Sequence, residues 1–167
     1  MADSAAGRPW RNVTAVGALV VWDGAVLLVR HTYGGARGRY LLPGGVVDPD
    51  ETLDVAVARE VAEETGVVAR PVGIVGVRSR HDPGGNDTYV MFLMEPLSGE
   101  PRPDGYENDD ARYFDAGDLE RRGDEITALS RYMALAALHG RLTVLRHDDE
   151  FDYGAATRDP STWKLFR

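Results

Sequence analysis

The sequence predicts a single α/β domain, and three observations carry that prediction. The chain has 167 residues, which is the length of one typical domain. Two β-rich runs are joined by Asp23-Gly24, a pair typical of a tight hairpin turn. A helical pattern over 49–65 then precedes two runs rich in Val, Ile and Met, at 67–80 and 87–97, which predict further strands.

The first part of the chain is predicted to contain an arm, a hairpin and a loop. Residues 1–11 are polar and aperiodic, which indicates a flexible N-terminal arm. The two hairpin strands are expected over 13–22 and 25–30. The glycine-rich segment 31–39 is typical of a loop, and a short strand is expected over 40–42.

The predicted helix has signals at both ends. Asp48 is a candidate N-cap, Pro49 suits the first turn, and Glu51 has the spacing from Asp48 that a capping box requires. Gly66 is a typical left-handed C-cap. We therefore expect a helix from about Pro49 to Thr65.

The remainder of the chain combines a loop, shorter elements and an extension. Residues 98–110 are rich in proline, glycine and acids and predict a loop, followed by a short strand at 111–114 and a helix over 124–139. The compact domain is therefore assigned to 12–140. The C-terminal extension, 141–167, is expected to pack on this domain or on a second subunit, and the second alternative implies a homodimer.

Composition and charge exclude several classes of partner. The chain carries 19 Lys and Arg against 27 Asp and Glu, a net charge of −8, whereas a general nucleic-acid binder needs a basic face. We find no membrane-spanning run and no signal-peptide pattern, so we expect no membrane partner and a cytoplasmic location. The absence of cysteine excludes disulfides, thiolate metal sites and thiol nucleophiles.

The predicted helix carries three acids on one face. At about 100° per residue, Glu60, Glu63 and Glu64 fall within an arc of roughly 100° that borders the apolar stripe. A solvated surface face is the simpler interpretation, but like charges one turn apart repel, and half-buried carboxylates need a compensating cation. Oxygen ligands favour Mg²⁺ or Mn²⁺ over zinc, so the spacing favours a divalent-metal site.

The residues around these acids resemble the signature of the Nudix hydrolase superfamily. Every fixed position of that signature is present with the required spacing: Gly45, Glu51, Arg59, Glu60, Val61, Glu63, Glu64, Gly66 and Val67. The resemblance continues in Leu42-Pro43-Gly44 before the signature and in the acid-rich segment 107–114 after it, and it covers roughly 12–140. Tyr40 and Tyr113 stand where tryptophan is frequent in the family.

The resemblance implies a fold and an activity. The implied fold is an α/β/α sandwich with a mixed β-sheet, and the implied reaction is hydrolysis of a nucleoside diphosphate linked to another group. Glu60, Glu63 and Glu64 are then divalent-metal ligands, for Mg²⁺ first and Mn²⁺ as the alternative. The backbone carbonyl of Gly44 or Gly45 is expected to add a ligand.

The resemblance also implies supporting roles around the metal ligands. Arg59 and Glu51 resemble the pair that braces the helix and orients the catalytic glutamates. The general base is implied to be a signature glutamate, Glu60 or Glu63, or an acid of a later loop. The acids available in that loop are Glu107, Asp109 and Asp110.

Four arginines outside the signature are candidate substrate contacts. Arg30 and Arg39 flank the glycine-rich loop before the signature, and guanidinium groups bind phosphate well, although a plain surface loop is the alternative. Arg78 and Arg80 at a strand end are further candidates, but strand alternation also explains them as one solvent-facing side.

The sequence therefore favours a Nudix pyrophosphohydrolase acting on a small nucleotide. ADP-ribose or another nucleotide sugar is the favoured substrate, ahead of nucleoside triphosphates. A catalytically silent nucleotide-sensing module is the alternative, which the intact signature disfavours. An isomerase of isoprenoid diphosphates on a related fold is set aside, because that chemistry expects an active-site cysteine and the chain has none.

Overall fold

The computed structural model describes residues 11–82, 85–150 and 164–167. Most of the predicted N-terminal arm and part of the C-terminal extension lie outside these ranges. The strands are β1 Arg11–Trp22, β2 Ala25–His31, β3 Tyr40–Leu41, β4 Val68–Asp82, β5 Gly85–Ser98 and β6 Asn108–Asp115. The helices are α1 Leu53–Thr65, α2 Ala116–Arg121 and α3 Ala128–Leu138.

The first strand joins the two halves of a mixed sheet. β1 pairs in parallel with β5 along most of its length, and β5 pairs antiparallel with β4. Next to the turn, β1 pairs antiparallel with the start of β2, whose other partners are β3 and β6. The predicted hairpin is confirmed, and its turn residues Asp23 and Gly24 have φ of 46° and 74°, as a type I′ turn requires.

Helices cover both faces of the sheet. Val57 and Val61 of α1 pack against Val16, Leu27 and Phe92 on one face. On the other face, α2 and α3 pack against a second core, whose buried side chains include Leu28, Tyr40 and Phe114. This arrangement confirms the predicted α/β/α sandwich with a mixed sheet. None of the helices within the described ranges is long and apolar enough to cross a membrane.

β1 and β2 pair with each other only next to their turn. Farther from the turn, the segment 43–47 takes the place of β2 beside β1. Val16 N donates a hydrogen bond to Gly45 O at 2.8 Å, and Ala18 N donates to Pro43 O at 2.9 Å. Gly44 has a φ of 152°, and a Cβ there would lie 2.0 Å from the Val16 carbonyl oxygen. Only glycine fits this position, so the Gly44-Gly45 backbone can approach β1 closely enough to make these hydrogen bonds.

The helix begins later than its sequence signals indicated. α1 starts at Leu53 with Thr52 as its N-cap residue, so the predicted start at Pro49 is wrong. Asp48 N does donate to Glu51 Oε1 at 2.9 Å, but this contact closes a turn that precedes the helix. The predicted C-cap is confirmed, because Gly66 has a left-handed φ of 69°.

The C-terminal half differs from the prediction in three places. β6 begins at Asn108, inside the segment predicted as a loop, and the short helix α2 was not predicted. The last helix, α3, covers only the later part of the predicted range. In the C-terminal extension, Leu145 exchanges two backbone hydrogen bonds of 2.8 Å with Ile74, and the Phe166 ring lies 5.6 Å from that of Phe92.

Candidate functional site

A cavity of about 480 Å³ brings the signature residues together. Its walls come from the Gly44-Gly45 segment, from α1, and from the loop before β6. The side chains that matter most for its chemistry are Tyr33, Arg59, Glu60, Glu63, Glu64 and Glu107. The three glutamates predicted from one helical face therefore line one cavity.

Glu64 is the most deeply buried of the three glutamates, with 3% of the residue exposed. Gly44 N donates to its Oε2 at 2.8 Å, and Asn108 Nδ2 donates to its Oε1 at 3.0 Å. His31 Nε2 lies 3.8 Å from the same Oε1, which is beyond hydrogen-bond distance. Each carboxylate oxygen thus accepts one hydrogen bond and keeps further lone-pair capacity.

Glu60 lies against the glycine backbone and is mostly buried, with 13% of its side chain exposed. Burial raises the pKa of this carboxyl group, the neighbouring Arg59 guanidinium opposes the change, and the negative charges of Glu64 and Glu63 add to it. A Cβ on Gly45 would lie 2.4 Å from Glu60 Oε1. A glycine at this position therefore leaves the room that the carboxylate occupies.

Arg59 connects the glutamates to the turn that precedes α1. Its Nε and Nη2 donate to the two carboxylate oxygens of Glu51 at 3.0 and 2.6 Å, a bidentate pair. Its Nη1 donates to Glu60 at 2.9 Å and to the exposed Glu63 at 3.1 Å. These hydrogen bonds lower the pKa of Glu51 and raise that of Arg59, so both stay charged.

The loop before β6 contributes two acids to the cavity, Asp104 and Glu107. Glu107 Oε2 accepts a hydrogen bond of 3.0 Å from the Tyr33 hydroxyl. Burial and this contact raise the pKa of Tyr33 to about 12, so the hydroxyl remains a donor. The loop is held by Asp104, whose Oδ1 accepts hydrogen bonds of 2.9–3.0 Å from the backbone N–H groups of Tyr106, Glu107 and Asn108.

The other two acids considered as bases have partners outside the cavity. Asp109 Oδ1 accepts a 2.7 Å hydrogen bond from Arg30 Nε. Asp110 accepts hydrogen bonds from Arg112 and from the Tyr40 hydroxyl. Burial alone would raise the pKa of Asp110, but these contacts outweigh burial, so the pKa lies below its usual value. Neither acid lines the cavity of the glutamates.

The four predicted substrate arginines also lie outside that cavity. Arg30 shares a strand face with Leu28, which packs on the side of α2 and α3, and the Tyr40 ring lies 5.8 Å away. Arg39 Nη2 donates to Ile126 O at 2.6 Å and lines a separate cavity of about 410 Å³. The residue after Arg30, His31, is the one that lies beside Glu64.

Arg78 and Arg80 share one acidic partner on the neighbouring strand. Their Nη2 atoms lie 2.6 and 3.0 Å from the two oxygens of Asp87. The Arg78 guanidinium also lies 5.4 Å from the centre of the Tyr89 ring. Both guanidinium groups are thus already paired with an acid.

The residues that sequence reasoning missed come from strands. Asn108 and His31 are cross-strand partners on β6 and β2; Asn108 donates a hydrogen bond to Glu64, and His31 lies beside it at 3.8 Å. Alternation along β2 was an available signal for His31, because it places this residue on the same face as Leu27, which packs on the α1 side. No sequence signal identified Asn108.

The donor set fits a divalent cation. In the ranges that the structure describes, no three acidic or histidine side chains form a ready-made cage. Mg²⁺ does not require one, since it binds through one or two carboxylates together with waters and substrate phosphates. Glu60 and Glu64 are mostly buried carboxylates in one cavity, where burial raises the Glu60 pKa, the Arg59 guanidinium opposes the rise, and the charge of Glu64 adds to it. Such a pair fits a hard cation.

Comparison with known proteins identifies the same region. Residues 11–136 match the family model of the NUDIX domain. An ADP-ribose pyrophosphatase from Methanocaldococcus jannaschii is 32% identical over 109 residues, which is 64% of each chain. An NAD-capped RNA hydrolase from Vibrio cholerae is 36% identical over 89 residues, 53% of this chain and 32% of the relative.

A solved structure shares the architecture. The crystal structure of a MutT NUDIX hydrolase from Burkholderia pseudomallei superimposes with a TM-score of 0.63 at 29% identity. The match covers 76% of this chain and 95% of that one. The chain spans less than two thirds of the length of the two curated relatives.

Proposed function

The chain belongs to the Nudix hydrolase family, and from this premise we propose that it hydrolyses the diphosphate linkage of a nucleoside diphosphate joined to another group. ADP-ribose or another nucleotide sugar is the favoured substrate, ahead of nucleoside triphosphates. The name of the Methanocaldococcus jannaschii relative supports this order.

One observation carries the proposal: the three signature glutamates, the Gly44-Gly45 backbone and Glu107 line a single cavity. Its volume of about 480 Å³ falls within the range of roughly 300–1,000 Å³ that is usual for small-ligand sites. A cavity with this many acids has little affinity for a diphosphate by itself, so a cation between the two is required.

In the proposed site, Glu60 and Glu64 hold a divalent ion, Mg²⁺ ahead of Mn²⁺, and Glu63 adds a carboxylate from the exposed side. Gly45 O accepts one hydrogen bond from Val16 N and has a second lone pair to offer. When bound, the ion withdraws negative charge from the diphosphate oxygens and lowers the pKa of a water molecule. Glu51 and Arg59 hold Glu60 and Glu63 in place through the hydrogen bonds described above.

The proposed general base is a signature glutamate, Glu60 or Glu63, since both line the cavity. Glu107, an acid of the loop before β6 that lines the same cavity, is the alternative. Asp109 and Asp110 are less suitable, since their contacts with Arg30 and Arg112 hold them elsewhere.

The remaining parts of the proposal concern contacts at a greater distance. Arg30, Arg39, Arg78 and Arg80 stay predicted contacts, for a part of the substrate that extends past the cavity. The described part of the C-terminal extension packs on its own domain through Leu145 and Phe166. A homodimer through the rest of the extension and a cytoplasmic location also stay predictions. The mass of the protein in solution, measured by light scattering, tests the dimer.

The decisive experiment incubates the protein and Mg²⁺ with nucleotide sugars and nucleoside triphosphates in ¹⁸O-labelled water. The products identify the substrate, and the labelled phosphate identifies the phosphorus that is attacked. We expect ADP-ribose or a related nucleotide sugar to be cleaved at the diphosphate. The control variant Glu120→Gln removes an exposed acid from α2 and should keep full activity.

Two outcomes would count against the proposal. Tight nucleotide binding with no turnover across the panel would favour the sensing module. Equal turnover with Mg²⁺ and with excess chelator would remove the proposed role of the glutamates as metal ligands.

A further inference from the structure

We propose that Asn108 is a positioning residue that sets the orientation of the Glu64 carboxylate. This inference rests on the proposed function, in which Glu64 holds the divalent ion. The two hydrogen-bond donors to Glu64 within the described ranges are the Gly44 N–H, at 2.8 Å from Oε2, and the Asn108 amide, at 3.0 Å from Oε1. One donor on each oxygen fixes the plane of the carboxylate group.

Asn108 reaches Glu64 because of an irregularity in strand pairing. Arg30 of β2 pairs with Asp110, but the next residue, His31, pairs with Asn108, so Asp109 is an extra residue on β6. In a regular ladder, His31 would pair with Asp109, and Asn108 would lie on the opposite face, with Arg30. The bulge therefore turns Asn108 toward α1, which is how bulges re-aim side chains beside functional sites.

The burial of Asn108 indicates that the fold alone does not require an amide here. The residue is fully buried, and its Oδ1 has no hydrogen-bond partner among the atoms that the structure describes. A buried and partly unsatisfied amide costs free energy that an apolar side chain of similar shape would not cost. The hydrogen bond from its Nδ2 to Glu64 is the contact that offsets this cost.

The orientation of the amide is fixed by the same contact. A flipped amide would place Oδ1 against Glu64 Oε1, and two acceptors would then repel. His31 does not replace the donor, because its Nε2 lies 3.8 Å from Oε1. Glu60 and Glu63 have Arg59 to hold them, whereas Glu64 depends on a backbone N–H and on Asn108.

The test measures Mn²⁺ affinity by electron paramagnetic resonance, in which free Mn²⁺ gives the signal. Asn108→Ala removes the donor, and Asn108→Leu removes it while keeping nearly the same shape, so that one variant retains the packing if the other fails to fold. We expect Mn²⁺ binding to weaken about 10- to 100-fold in both, the usual effect of losing a group that orients a metal ligand. The kcat with Mg²⁺ should fall in parallel.

Two control variants separate positioning from general loss of stability. Asn12→Ala removes an exposed asparagine from β1 and should change neither property. Ala111→Gly weakens β6 at a buried position that pairs with Val29, and it should lower the melting temperature without changing Mn²⁺ affinity. Circular dichroism confirms that each variant is folded.

The outcomes distinguish the inference from the function on which it rests. If the unchanged protein binds no Mn²⁺, or binds it no better than Glu64→Gln does, the proposed metal site is wrong and the inference fails with it. If the unchanged protein binds Mn²⁺ and Glu64→Gln does not, yet both Asn108 variants bind normally, Asn108 does not position Glu64 and the proposed function stands.

Discussion

The pair formed by Arg59 and Glu51 gives the most quantitative prediction. Glu51→Gln keeps the size of the side chain but replaces a charged acceptor of two hydrogen bonds with a neutral amide. Arg59 donates to both oxygens of Glu51, at 3.0 and 2.6 Å, and the Glu51 side chain is only 8% exposed. Solvent therefore screens this pair weakly.

The expected loss of stability follows from these contacts. Hydrogen bonds to charged groups contribute about 1.5–3 kcal/mol, and Arg59 keeps Glu60 and Glu63 as partners after the change. We expect the free energy of unfolding to fall by about 2 kcal/mol at pH 7. For a chain of this size, the melting temperature should then fall by roughly 4–8 °C.

The loss should depend on pH in a defined direction. Arg59 holds the pKa of Glu51 below its unfolded-state value of about 4.3. Ionised Glu51 therefore contributes its full stabilisation above about pH 4.3, and this contribution disappears as the pH falls through the lower folded-state pKa. The difference between the unchanged protein and Glu51→Gln should shrink accordingly.

Urea denaturation at pH 7 and at several values below pH 4 measures this difference, and Glu120→Gln serves as an exposed control. A stability difference that stays the same at low pH, or that is absent at pH 7, would refute the reasoning. In the same variant kcat should fall, because Arg59 loses the anchor from which it holds Glu60.

Three further predictions concern close contacts and the metal. Gly45→Ala would place a Cβ 2.4 Å from Glu60 Oε1, so the carboxylate must move, and kcat should fall about 10- to 100-fold; an unchanged kcat would contradict the assigned position of Glu60. Gly17→Ala would place a Cβ 1.9 Å from the Tyr89 hydroxyl oxygen, so urea denaturation should show that the free energy of unfolding falls by about 1–3 kcal/mol. The control Gly35→Ala adds a Cβ in open space and should leave the free energy of unfolding unchanged. A chelator should abolish hydrolysis and added Mg²⁺ should restore it, while activity that survives chelation would exclude the metal-ligand role.

The part of the site that the sequence predicted is local. Glu60, Glu63 and Glu64 lie on one helix, so helical spacing alone places them on one face. The turn signals were similarly reliable, because Gly24 and Gly66 adopt the positive φ values that such positions require.

The parts that the sequence did not predict depend on contacts between distant segments. Asn108 faces Glu64 only because of the bulge at Asp109, which single-sequence patterns do not reveal. Arg30 was proposed from its position beside a glycine-rich loop, but strand alternation turns it to the face opposite α1 and brings His31 to the glutamates.

The helix start was misplaced for a similar reason. Asp48 and Glu51 have the spacing of a capping box, yet the Glu51 carboxylate binds Arg59, beyond the first turn of the helix. The same local sequence is compatible with a capping box between Asp48 and Glu51 and with an ion pair between Glu51 and Arg59. Only the tertiary contact with Arg59 distinguishes the two. The outcome is a helix that begins at Leu53.

The most direct test of the proposed chemistry is the turnover of Glu64→Gln at low millimolar Mg²⁺, measured on the best substrate of the nucleotide panel. Glutamine keeps the shape of the side chain and removes the charge that binds the cation, so we expect turnover to be abolished while circular dichroism shows an intact fold. Substantial retained activity in this variant would contradict the assignment of the three glutamates as the metal site of a diphosphate hydrolase.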